Sequence, residues 1–224
     1  MRTTHWLLTV IFGLLLMGCA GAPTAPTLEA RQALAPTGKL RVAFFAAAIY
    51  GTKDPATGEL KGVAVDLGKE LAQRIGVPFE PVVYSGPAAL IGGAKSGQWD
   101  IALTGINAER AAAMDLSAPY MELEQGYLVR AGVSIATASE VDRAGVRVGV
   151  LEKSVVDIHL SRTLKNATLL RAKSIAELSA LAEGGKADVI ASGKPGLFAI
   201  AAKQAGSRLL DGRILAEEVG MGVP

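Results

Sequence analysis

The sequence predicts an α/β protein in two lobes, each a mostly parallel sheet flanked by helices. Three observations carry that prediction. From Lys39 to Leu116, strand-like apolar runs alternate with helical patterns in the order β-α-β-α-β-α, the pattern of a parallel sheet with crossover helices. A second run of the same kind spans Val146 to Ala205. Between them Pro119–Val129 reads as extended, which makes a joint between two units with a cleft at the joint.

Each element has a local reason. Lys39 to Phe45 is a strand by its apolar run, and Asp54-Pro55-Ala56-Thr57-Gly58 is turn chemistry, with Pro fixing φ and Gly tolerating φ > 0. A helix follows over Gly62–Gly76, with Asp66 expected to cap it, Leu67, Leu71 and Ile75 recurring every four residues, and Gly76 stopping it before Pro78. Val77–Tyr84 is a strand, Pro87–Lys95 a short helix weakened by Gly92-Gly93, and Trp99, expected in the core, leads into a strand ending at Thr104-Gly105. In the second run, strands are expected at Val146–Val150, Thr168–Leu170 and Asp188–Ala191, and helices at Ser154–Leu164, Ser174–Glu183 and Pro195–Ala205. Ser174 with Glu177 has the spacing of a capping box, and Pro195 suits a first helical position. Ile214–Val219 is a last strand.

Composition excludes several classes. The 224 residues are 50% hydrophobic with a formal charge of +2, a globular rather than disordered balance. Lys and Arg are dispersed, so a pI of about 8.7 gives no nucleic-acid footprint. One cysteine, Cys19, permits no intrachain disulfide, and with only His5 and His159 there is no Cys/His metal cluster and little footing for a Ser-His-Asp or Cys-His enzyme. No metal or cofactor is expected.

The N-terminus reads as an export signal. Arg2 precedes an apolar run from Trp6 to Met17, shorter than the roughly 20 residues of a spanning helix. Leu16-Met17-Gly18-Cys19 resembles a bacterial lipobox, which implies a lipid on Cys19. The competing reading is ordinary cleavage after Ala20-Gly21-Ala22. We expect a signal peptide over 1–18, a tether over 19–37, a first lobe over 38–125 plus 217–224, and a second over 126–216.

The site is expected around Asp100–Arg110. A strand running into a helix near Ala108 leaves backbone N–H groups and a helix dipole that favour an anion. Arg110 adds a planar fork that matches a carboxylate, and Thr104 and Asn107 offer further polar contacts. In open α/β sheets, ligands sit at the carboxyl ends of strands. Those ends are Phe45/Tyr50, Tyr84/Ser85 and Thr104/Gly105 in one lobe, and Leu151–Ser154 and Ser192/Gly193 in the other.

From Gly38 onward the chain resembles the family 3 extracellular solute-binding proteins, the polar-amino-acid-type receptors of ABC importers. The resemblance is carried by Gly38-Lys39-Leu40-Arg41-Val42, Thr57-Gly58-Glu59-Leu60-Lys61-Gly62 through Val65-Asp66-Leu67, Ser96-Gly97-Gln98-Trp99-Asp100-Ile101, Ala108-Glu109-Arg110, Met114-Asp115-Leu116-Ser117-Ala118-Pro119-Tyr120, Val148-Gly149-Val150 and Lys194-Pro195, in order and at near-family spacing. It implies a two-lobe type II periplasmic-binding-protein fold closing on a solute. It also implies Arg110 as the grip on a ligand carboxylate, Thr104 and Ser154 as hydroxyl contacts, and Phe45 or Tyr50 as the aromatic packed on the ligand.

Departures from the family pattern shape the ligand expectation. The loop from Gly105 to Ala108 is short, Pro87 stands where many members have an aromatic, Lys153 replaces a glycine, and the family's ammonium-binding aspartate is Gly193 here. A carboxylate-bearing or otherwise anionic solute is therefore expected rather than an α-amino acid. The chain also stops at Pro224, as it re-enters the first lobe, where family members run on to another helix. The resulting expectation is a monomeric, lipid-anchored binding protein at the periplasm or cell surface that serves an ABC permease. The alternatives are a dehydratase-like enzyme using Glu122, Glu124, Glu152 or Asp157 as its acid, or a truncated remnant that binds nothing. Arg110→Ala is expected to abolish binding without unfolding the protein.

Overall fold

The computed structural model describes residues 26–224. The signal segment and residues 19–25 of the expected tether, Cys19 among them, lie outside the described residues. The helices are α1 (Leu28–Leu34), α2 (Val63–Ile75), α3 (Pro87–Ala94), α4 (Ala108–Ala111), α5 (Val155–Thr163), α6 (Ile175–Glu183) and α7 (Lys194–Ala201). The strands are β1 (Leu40–Phe45), β2 (Thr52–Lys53), β3 (Leu60–Lys61), β4 (Phe79–Tyr84), β5 (Ile101–Gly105), β6 (Asp115–Leu116), β7 (Met121–Val129), β8 (Arg147–Leu151), β9 (Thr168–Ala172), β10 (Val189–Gly193), β11 (Arg208–Leu209) and β12 (Leu215–Val223).

The main sheet runs β4-β1-β5-β12-β7-β10-β8-β9, with β6 on β12 and β11 on β7. Its outer thirds are parallel: β1 pairs with β4 and β5, and β8 with β9 and β10. The middle is antiparallel. The nine-residue strands β7 and β12 pair with each other from Leu215↔Gln125 to Val219↔Met121, and each also borders one parallel third. These two crossing strands connect the lobes. The expected lobe boundaries, 125/126 and 216/217, fall inside them.

The period of two sorts residues between the faces of the second lobe. Tyr127 and Val129 of β7, Val148 and Val150 of β8, and Val189 and Ala191 of β10 join one core cluster. Leu128 and Ile190 join the other, together with the first lobe. In that lobe β1 is covered on both faces, as a central parallel strand must be. Leu40, Val42, Ala43 and Phe44 are fully buried, and burying a side chain such as Phe44 contributes about 1.5–3 kcal/mol. Trp99 is core, its indole donating to the Leu90 carbonyl at 3.3 Å.

Several local expectations are corrected. Asp66 does not cap α2: the N-cap is Gly62, without a side-chain bond, and Asp66 sits in the first turn, where its charge still favours the helix dipole. Ser174 caps α6 by accepting from Glu177 N at 3.1 Å, but the Glu177 carboxylate accepts from Lys173 N, so the box is only half made. The last helix ends at Ala201 rather than Ala205. Residues 28–34 of the expected tether form α1, capped by the Thr27 hydroxyl, with Leu34 packed on the core. The β2–β3 hairpin, which no apolar pattern announces, is set by the Asp54 turn, whose carboxylate accepts from Ala56 and Thr57 N–H.

Candidate functional site

A cavity of about 530 Å3, its mouth included, lies where the two parallel thirds of the sheet face one another. Its walls come from the carboxyl ends of strands in both lobes: Phe45 and residues 47–50 after β1, Pro87 after β4, Leu151 and residues 154–156 after β8, Ile175 after β9, and Ser192 and Gly193 at the end of β10. Leu123 and Gln125 of β7 and Glu217 of β12 complete it. The crossing strands therefore form part of the site as well as the connection between lobes.

Most of this lining is apolar, and its charged members are Arg110 and Glu217. Arg110 is 2% exposed and Glu217 8%. The Arg110 Nη1 donates to Glu217 Oε1 at 3.2 Å and to the Gly105 carbonyl at 2.9 Å, while Gln125 Nε2 donates to Glu217 Oε2 at 2.9 Å. The Arg110 Nε is buried and finds no acceptor among the described residues. Half of the guanidinium fork is thus held by the protein and half is unfilled. Burial pushes the Glu217 carboxyl up, against the opposing charge of Arg110. The Tyr50 hydroxyl is pushed well up by burial, and Glu217 adds to the shift.

The strand end explains why Gly105 precedes this pair. A Cβ on Gly105 would collide with the Glu217 carboxylate and lie 2.6 Å from Arg110 Nη1. Only glycine leaves room for the two side chains to meet over the backbone.

The expected site residues divide into two groups. Arg110, Phe45, Tyr50, Ser154 and Ser192 line the cavity. Phe45 and Tyr50 do so together, their ring centroids 4.8 Å apart and tilted by 57°. Ser154 caps α5, accepting from Asp157 N at 3.1 Å, which leaves its hydroxyl proton free to donate. Thr104, Gly105, Asn107 and Tyr84 lie outside the lining. Thr104 is buried on β5 opposite Gly220, Asn107 accepts from Arg110 N at 3.0 Å as the cap of α4, and Tyr84 Oη donates to Gln98 at 2.9 Å. Asn107 thus holds the backbone of Arg110 in place. The expected anion site at a helix start is not built: α4 is four residues long, and its cap takes the Arg110 N–H. The acid candidates Glu122, Glu124, Glu152 and Asp157 are also outside the lining. Lys194 holds Glu124 below the usual carboxylate range, and Asp157 accepts from Arg171 and Ser161.

Sequence reasoning missed Glu217 and Gln125, although a signal was present. In Glu217-Glu218-Val219 the first residue shares the buried face of Val219, and Glu218 points to solvent. Gln125 follows Leu123 in the same way on β7, on the buried face, with exposed Glu124 between them.

The lobes also touch across the cleft. Lys153 Nζ meets Glu109 Oε1 at 2.8 Å, and the Gly86 backbone packs so close to the Lys173 carbonyl that a Cβ there would lie 2.6 Å from it.

Comparison with known proteins agrees with this architecture. A curated relative, the ABC transporter glutamine-binding protein GlnH of Bacillus subtilis (strain 168), is 23% identical over 182 residues, 78% of this chain. That match spans 65% of the relative's own length. Among solved structures, a point mutant of arginine-bound ArgBP from T. maritima superposes with a TM-score of 0.75 at 23% identity, covering 86% of this chain and 91% of that one. The ancestral amino acid-binding protein AncCDT-1, described as a precursor of cyclohexadienyl dehydratase, gives 0.72 at 26% identity, covering 86% and 85%. The fold is the two-lobe type II periplasmic-binding-protein fold. The family model of the bacterial extracellular solute-binding proteins, family 3, matches residues 41–198, well over half of the chain, and the protein belongs to that family.

Proposed function

We propose that the protein is the solute-capturing component of an ABC importer, and that it binds a small carboxylate-bearing solute in the inter-lobe cavity by closure of the two lobes. The observation that carries this reading is Arg110: a buried guanidinium at the cavity wall with its Nε unpartnered. A guest carboxylate on the Nε–Nη2 edge satisfies a buried donor and makes two charge-assisted hydrogen bonds. Glutamine and arginine, the guests in the relatives' names, each carry such a carboxylate. The contacts across the cleft give closure surfaces that already match, and β7 and β12 are the elements about which the lobes turn.

Titration calorimetry on wild type and Arg110 variants tests the reading, after a thermal-shift screen of amino acids and organic acids. Arg110→Lys keeps the charge but loses the fork, and is expected to weaken binding about 100-fold. Unchanged affinity in that variant would falsify the Arg110 grip. Arg110→Ala is a poorer probe than the sequence indicated. It strands the Glu217 charge in the cavity wall, at a cost of about 3–5 kcal/mol, so it perturbs folding as well as binding.

Export and anchoring belong to the same proposal. A lipid on Cys19 would hold the protein at a membrane surface facing its permease; among the described residues no helix is long and apolar enough to cross a membrane. Mass analysis of the mature N-terminus checks this, with a diacylglyceryl-modified Cys19 as the expected first residue.

A further inference from the structure

We propose that Lys153 and Glu109 form a latch at the rim of the cavity, which raises the closed fraction of the protein before any guest arrives and makes that fraction depend on ionic strength. The inference rests on the lobe-closure part of the reading above and starts from a backbone outlier. Lys153 has φ 59°, a left-handed conformation in which glycine is the least costly residue. Strain of this kind persists where the side chain has work at a functional boundary. Here the side chain crosses the cleft, and its ammonium meets Glu109 Oε1 at 2.8 Å. Each partner stands one residue before a residue of the lining, Ser154 or Arg110. The pair therefore bridges the rim and takes no contact from the guest.

The turn fixes where that side chain leaves the second lobe. Lys153 N–H donates to Asp157 Oδ2 at 2.9 Å, and Ser154 N–H to the Leu151 carbonyl at 3.1 Å. Asp157 is buried and is itself held by Ser161 Oγ at 3.2 Å and Arg171 Nε at 2.9 Å. All these bonds lie within the second lobe, so the turn keeps its shape when the lobes part. The hydrogen bond to Glu109 holds the Lys153 ammonium above its ordinary value. The surrounding charge acts in the same direction. Residues 126–216 hold 13 Lys and Arg against 8 Asp and Glu, whereas residues 38–125 with 217–224 hold 8 against 12. The ion pairs at the joint repeat that polarity, because Glu124 of β7 takes Lys194 at 2.5 Å and Arg213 at 3.5 Å. Unlike net charges attract over about a Debye length, ~8–10 Å at physiological salt, and the latch is where they meet across the cleft.

The test needs no guest. Dyes on Lys69→Cys in α2 and Lys186→Cys after α6, both exposed positions, report the distance between the lobes in single molecules, with Cys19→Ser removing the native thiol. The closed and open populations are compared at ~0.01 M and ~1 M ionic strength, where the Debye length is about 30 Å and about 3 Å. At low salt Lys153→Met and Glu109→Gln are each expected to lower the odds of closed over open about threefold. At high salt both should match the otherwise unchanged protein. Lys153→Glu alone should lower the odds further, and adding Glu109→Lys should bring them back, which isolates the pair from the general field. Equal odds with and without Lys153→Met and Glu109→Gln at low salt overturn the latch and leave closure on a guest standing. A single inter-lobe distance at both salts overturns it too. The closure reading falls with it only if a solute found by the thermal-shift screen leaves that distance unchanged.

Discussion

In the first lobe Arg41, near the start of β1, wraps Asp100, the residue before β5; in the second, Arg147 opens β8 and wraps Asp188, the residue before β10. The two clamps match bond for bond. Arg41 gives Asp100 its backbone N–H at 2.8 Å, Nε at 3.1 Å and Nη2 at 2.6 Å, and Arg147 gives Asp188 the same three groups at 3.0, 2.9 and 2.8 Å. Each arginine also reaches the carbonyl of a glycine three residues before its aspartate, Gly97 or Gly185. The amino ends of the two parallel thirds are thus fastened by one device. At the carboxyl ends the likeness stops, because the first lobe brings a guanidinium and two aromatics to the cavity, while the second brings two serines, Ser154 and Ser192, and apolar residues. What repeats holds the sheets together, and what differs lines the cavity, at the carboxyl ends where ligands of open α/β sheets sit.

The clamps are alike in bonds and unlike in burial, which ranks them. The Asp100 side chain is 3% exposed and that of Asp188 is 14%. Asp100→Ala leaves a partly buried Arg41, its side chain 20% exposed, without its counter-ion and is expected to cost about 3 kcal/mol. Asp188→Ala leaves Arg147 and Arg130 a path to water and is expected to cost about 2 kcal/mol. Urea denaturation midpoints of the two variants settle the order. A larger loss from Asp188→Ala would mean that burial does not rank the clamps.

Acid exposes the next difference, between Asp188 and Glu217. Hydrogen bonds from Arg147 hold Asp188 at about 2, against about 3.9 in an unfolded chain. Its folded value is depressed, so its contribution is fully present above pH ~4 and is lost as pH falls toward ~2, an effect of about 1–2 kcal/mol. Glu217 is shifted upward by burial, so it has the opposite sign: its contribution is greatest below the unfolded glutamate value and is lost as pH rises through the folded one. Asp188→Asn is expected to flatten the acid limb of a stability–pH curve and uncover the Glu217 slope. A curve that keeps its full acid limb in that variant would place the loss on another carboxylate.

Periodicity made most of the sheet legible before any coordinates. The runs at 40–45, 147–151 and 189–193 are apolar because parallel strands are covered on both faces, and glycines stop α2 at Gly76 and α6 at Gly184. The short pieces β6 and β11 were hidden, since two residues carry no period and form only because β12 and β7 lie beside them. Arg110 was legible as a residue of the cavity, but its counter-ion was not. Glu217 and Arg110 are 107 positions apart, and the pairing depends on β5 and β12 lying side by side. The helix that was expected to help Arg110 proved to be a single capped turn, because Asn107 satisfies the N–H that an anion would have used.

The smallest expected effect concerns Lys153, where the lobes meet. Among the described residues it is the non-glycine residue with positive φ, at 59°, a conformation that costs an L-residue its ordinary backbone preference. Its side chain crosses to Glu109, in an ion pair with both ends about half exposed, and such pairs contribute little once solvent screens them. Two substitutions separate the backbone from the charge. Lys153→Met keeps the strain and removes the pair, so the melting temperature should hardly move, while any closed-state bias from the pair should appear as weaker ligand binding at low salt. Lys153→Gly removes both, and relief at φ 59° should raise the melting temperature by about 2 °C relative to the methionine variant. If the two variants melt together, the left-handed backbone there is held at no cost. If methionine alone lowers the melting temperature clearly, the cross-cleft pair is stronger than its exposure allows, and the second lobe contributes a charge to closure as well as a wall.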